Sequence, residues 1–306
     1  MVISKKVLFL MCALVFCVLP VSGAYAENVV TYSSLDITKG SEMRVSNDYT
    51  LRVTPGDVRL TGENIYPAIY LNSNSSLDIT EGSFVITDVN GSFGITAQND
   101  NTSVKIGRDV VITSSDYVTG LMVSGANAYL EIGGNLMVDG GTSNHGLYLS
   151  GSWWYPDERA TLIIRGDVLV LDGSKDEGVS ISENADGTIF GDLIVQGGQN
   201  NLGLGVSGNT TLTLHGDTVV SGGTGNIGIR VFDHDAVVNL FGDLTVDGED
   251  SIGAAVTHYA GFGEGAHATL NMTGGELLVG SDNIRGVFVI NYDGQINLTD
   301  VSGGSV

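Results

Sequence analysis

The chain of 306 residues has two cysteines, Cys12 and Cys17, and neither lies beyond position 17. Disulfide stapling of the remainder is excluded, whatever compartment the chain enters. Stability must come from packing and hydrogen bonding alone. Prolines number only four against 44 glycines, a balance too Gly-rich for an ordinary globular enzyme. Basic residues are also scarce: 13 Lys and Arg face 35 Asp and Glu, for a net charge of −22. A chain this acidic lacks the basic patch that phosphate binding requires, so no nucleic-acid partner is expected. The same acidity serves solubility at a surface, and would also suit divalent cations. No apolar run reaches the ~20 residues of a membrane-spanning helix. The longest, Val7 to Leu19, follows Lys5 and Lys6 and precedes Pro20 and Ala24-Tyr25-Ala26. Those three parts form a secretory signal over residues 1–26, with cleavage expected after Ala26.

What the chain has in abundance is glycine, 44 residues, together with Val, Ile and Leu. That mixture predicts many short strands joined by tight turns. A fixed period organises them. A polar column runs through Asp57, Ser83, Asp109, Asn135, Asp167, Asp192, Asp217, Asp243 and Glu276, at intervals of 25 or 26 lengthened to 32 and 33 at two places. A glycine column, Gly94, Gly120, Gly146, Gly178, Gly203, Gly228, Gly253 and Gly286, lengthens at the same two repeats. A shared period of this size marks a solenoid.

Within each repeat, apolar residues alternate as in strands with one buried face. Leu212 and Leu214 make a first strand, Val219 with neighbouring Val220 a second, and Ile229 and Val231 a third. No 3.6-residue periodicity follows the signal, so helices are not expected. Turns this short cannot fold a strand back within its own repeat, so each strand must pair with its counterpart one repeat on. The expected fold is all-β: a right-handed parallel β-helix, with three short strands per coil of 25–26 residues and about nine coils spaced ~4.8 Å apart. Residues 27–50 would form an N-terminal cap and first strands, and 51–306 the repeats. Gly and Asp at the corners would tolerate positive φ or bond their own backbone.

Units such as FGDLTVDG and HGDTVVSGG, after a signal peptide and without cysteine, resemble the passenger domains of autotransporters of the AIDA and pertactin kind. The likeness spans about Leu51 to Thr299. It implies a surface-exposed or secreted, adhesin-like binding scaffold that is not an enzyme and needs no cofactor or metal. Its implied partners are a host surface protein or glycan, or a second copy in self-association. It also implies an outer-membrane translocator barrel, which does not follow Val306 here. The chain ends mid-repeat, so a C-terminal truncation is expected.

Catalytic motifs are missing: there is no GxSxG, HExxH or CxxC, and the five histidines are scattered. Two GxGxxG matches, at Gly203 and Gly223, open no helix. No catalytic residue is assigned. The alternative is an extracellular carbohydrate-active β-helix, a lyase or glycoside hydrolase, although no Arg or Lys cluster recurs in neighbouring repeats. The candidate ligand-binding residues lie in the two insertions, where long excursions from a solenoid carry binding. They are Trp153, Trp154 and Tyr155 in SGSWWYPDERA, and Tyr259 and Phe262 in the second. Both insertions follow the third strand, four coils apart, or roughly 19 Å by the coil spacing.

Overall fold

A computed structural model describes residues 28–38, 42–63, 67–232, 235–257, 267–280, 285–290 and 294–302. The signal segment 1–26 and the insertion 258–266, with Tyr259 and Phe262, lie outside them. Every described element is a strand, and every strand pairing is parallel. The strands stack into a β-solenoid of about nine turns. No helix among the described residues is long and apolar enough to cross a membrane.

One coil shows the plan: Ala185–Ile189, Leu193–Gln196 and Leu202–Ser207, each paired with its counterpart 25 residues on. First strands make an 11-stranded sheet along the rod. The register absorbs the lengthened repeats without slipping. Leu130 pairs with Leu162, and Leu136 with Val168, because the additional residues are looped out between strands.

Alternation places one apolar column per strand inside. Leu77, Val104, Leu130 and Leu162 stack in the first sheet, Leu136, Val168 and Leu193 in the second, and Leu147, Val179 and Leu204 in the third, all buried. Each contributes about 1.5–3 kcal/mol relative to an exposed side chain. In the second strand of a later coil it is Thr218 and Val220 that point inward, with Val219 turned partly outward.

The polar column does more than cap its own turn. The side chain of each coil accepts the backbone N–H of the next: Asn135 N–H bonds Asp109 Oδ1 at 2.8 Å, and Asp167 N–H bonds Asn135 Oδ1 at 2.8 Å. The series continues with Asp192 on Asp167 and Asp217 on Asp192, up to Glu276 on Asp243. Each carboxylate therefore sits against a donor, which offsets the like-charge repulsion of its neighbours. The glycine column answers a different demand. A Cβ at Gly178 would lie 2.7 Å from the Gly203 carbonyl oxygen and 2.8 Å from a Val168 methyl, so these positions are glycine because the next coil approaches too closely.

Candidate functional site

That glycine column shapes the outer face. In His145–Ser150 and Glu177–Ser182 the inside-outside alternation breaks, and two successive residues turn inward at Gly146-Leu147 and Gly178-Val179. The residues three apart are left facing out. His145 and Tyr148, Glu177 and Ser180, and then Gly205 and Arg230 share this face, because the register pairs His145 with Glu177 and stacks Tyr148, Ser180, Gly205 and Arg230.

His145 Nε2 lies 3.4 Å from Glu177 Oε2. The Glu177 side chain is only 18 % exposed, and burial pushes its carboxyl up to about 7, against the pull of a Ser180 hydrogen bond and the Arg230 charge. Burial also lowers the pKa of His145. Near neutral pH the pair therefore holds a carboxyl that can give a proton beside an imidazole that can take one. Gly205 leaves room for the carboxyl, since a Cβ there would come within 2.7 Å of Glu177 Oε1. Tyr148 and Ser182 add a hydroxyl pair at 3.2 Å.

The first insertion leaves the same strand that carries His145. Its base is pinned by Asn184 Nδ2 donating to the Ser152 carbonyl at 2.8 Å, and by Arg159 donating to Asp186 at 2.6 and 2.9 Å. Above that base, Trp153, Trp154 and Tyr155 are 66, 88 and 51 % exposed, so they do not fold down as flank packing.

The first sheet carries charge in a ladder. Arg52 bonds Asp78 at 3.2 Å, Lys105 lies over the Tyr129 ring, and Arg165 bonds Glu131 at 2.7 Å. Basic residues alternate here with Asp78 and Glu131 and do not occupy neighbouring coils, so no cluster of one sign forms. Arg165 falls outside that column and reaches diagonally to Glu131 across the lengthened repeat. Further along, Phe190, His215 and Phe241 form an exposed stack with centroids 5.3 and 5.6 Å apart. No cluster of potential metal ligands occurs among the described residues.

His145 and Glu177 had a readable signal. Each immediately precedes a member of the glycine column, and their 32-residue separation is the lengthened interval itself.

No family model matches the sequence, and no curated protein matches it. Among solved structures, the periplasmic alginate epimerase AlgG is similar at 13% identity and a TM-score of 0.31, over 92% of this chain and 80% of that one. A mutant of the same enzyme gives 14% and 0.35 over 92% and 79%. The expectation that the chain is not an enzyme is corrected on this finding, because the matching structures are those of an enzyme. At these values the likeness is one of fold, and it carries no residue across.

Proposed function

We propose that the chain is an exported, carbohydrate-active solenoid that holds a polysaccharide along its third-strand face, with Glu177 and His145 exchanging protons with the bound sugar. The observation that carries this reading is the His145–Glu177 contact at 3.4 Å, where burial raises the Glu177 carboxyl to about 7 and lowers the His145 imidazole. Coils ~4.8 Å apart repeat at a length close to one pyranose unit, so successive sugars meet equivalent outward positions. Glu177 in its acid form gives a proton to the leaving glycosidic oxygen as its C–O bond breaks, while neutral His145 takes the proton from the adjacent ring carbon, whose C–H electron pair becomes a C=C bond. Arg230, next but one along the rod from Glu177, favours an acidic group on the sugar.

The second reading is a surface passenger of the autotransporter kind, which presents the first insertion to a glycan or protein partner. The exposure of Trp153, Trp154 and Tyr155 favours it, since such rings stack on sugars and anchor interfaces. One panel separates the two. Purified protein is offered neutral and acidic polysaccharides, with chain cleavage and binding both measured. Turnover that falls about 10²–10⁴-fold in Glu177→Gln supports the first reading. Binding without turnover, abolished by replacing the three aromatics with alanine, supports the second.

A further inference from the structure

Beneath the outer face runs a second, fully buried polar column: Ser115, Asn144, Asp176, Asn201, Asn226 and Ser251, each no more than 1 % exposed. Here each side chain accepts an N–H from the preceding coil. Val118 donates to Asn144 Oδ1 at 3.1 Å, Asn144 to Asp176 Oδ1 at 2.8 Å, Asp176 to Asn201 Oδ1 at 3.0 Å, and Asn201 to Asn226 Oδ1 at 2.9 Å. The asparagines use their remaining group as a donor to turn carbonyls. Asn144 Nδ2 reaches the Ser115 and Gly140 carbonyls, Asn201 Nδ2 that of Gly173, and Asn226 Nδ2 those of Gly197 and Gly222.

Asp176 breaks this series by one atom. Its Oδ1 accepts as the asparagine oxygens do, so its Oδ2 takes the place where the asparagines carry the donating nitrogen. That oxygen is buried and has no hydrogen-bond partner. A carboxylate in this place turns acceptor toward acceptor; a carboxylic acid donates as Asn does. No cation relieves it. The charge that bears on it is Asp116, two coils back and of the same sign. In its own turn Asp172 and Lys175 are exposed to solvent, and Glu177 points to the opposite side of the strand.

We propose that Asp176 is a proton-operated latch: protonated, it completes the buried ladder, and ionised, it loosens the coil that carries Glu177. Burial, the largest cause, and Asp116 both raise its pKa, from 3.8 to about 6, against the Asn144 bonds. The direction follows. A group whose folded pKa is raised contributes stability that is whole below about 4 and is lost as pH rises through about 6.

The test compares wild type with Asp176→Asn, an isosteric change that supplies the missing donor. The two should have matching stability near pH 3.5, and should diverge as pH rises until the variant's folding constant is on the order of a hundredfold larger at pH 7. Using the difference between the two proteins cancels every other titrating group, Glu177 included. Asn201→Asp should create the same pH-dependent loss one coil later. Hydrogen exchange at the Asn144 amide reads the latch locally, slowing in Asp176→Asn at pH 7. A stability difference that does not vary with pH, or a variant less stable than wild type at pH 7, would overturn the proposal.

Discussion

Two faces of the same rod carry basic residues and carboxylates, and they treat them in opposite ways. On the first sheet the charges neutralise one another. Glu131 accepts from Tyr129 at 2.7 Å and from Arg165, which holds its carboxyl below the usual range, while Tyr129 is pushed up to about 12, by burial first and then by the bond to Glu131. Those groups are locked far from neutrality and cannot move protons near pH 7. On the third-strand face burial dominates, raising Glu177 to about 7 and lowering His145 although the two lie 3.4 Å apart. A dense constellation of charge is therefore the poorer candidate for chemistry, and a sparse, desolvated pair the better one.

The sharpest way to break this contrast is activity. Glu131→Gln should leave polysaccharide turnover at wild-type level, against the 10²–10⁴-fold loss in Glu177→Gln; equal losses would erase the distinction. Next in size is stability by depth. Asn201→Ala leaves the Asp176 N–H buried without an acceptor, while the Gly173 carbonyl keeps the Gln199 N–H, and should cost about 1–3 kcal/mol. Asp192→Ala strips the Asp217 N–H of its acceptor in a turn open to water and should cost about 1 kcal/mol, both measured by denaturant melts. The smallest effect concerns the ion pairs. Arg165→Ala should cost less than about 1 kcal/mol, because Arg165 is 55 % exposed, and the cost should shrink with added salt.

The two faces also titrate in opposite directions. Glu177, raised from 4.5 to about 7, contributes stability that is lost as pH climbs through that interval, and Glu177→Gln should remove that slope from a series of thermal melts. Glu131, lowered, contributes stability present above about 4.5 and lost as pH falls, so Glu131→Gln should flatten the acid side.

The architecture was legible because two independent columns, of Asp and of Gly, stretched at the same repeats; backbone stacking leaves such a mark when it forbids a Cβ or demands an acceptor every coil. The reasons behind the columns were less legible. Spacing cannot say that Asp109 serves Asn135 in the coil beyond it, or that Gly178 answers to a carbonyl overhead. The positions of His145 and Glu177 were readable, each just before a glycine of the column and one lengthened interval apart, but their chemistry was not. Burial then changes two ordinary surface residue types into titrating ones, and a string of letters does not record depth. Asp176 was missed for a related reason, since Asp and Asn are interchangeable as turn formers and differ only where water is absent.

The two polar columns run in opposite senses. In the outer one the later coil donates to the earlier, as from Asp217 to Asp192, whereas in the inner one the earlier donates to the later, as from Asn144 to Asp176. Between Ser115 and Ser251, where both columns run, each joint between neighbouring coils is thus a plug and a socket on both sides. Whole 25-residue cassettes can be gained or lost by recombination with every joint still matched, which lets the length of the rod change in evolution without any redesign of its contacts.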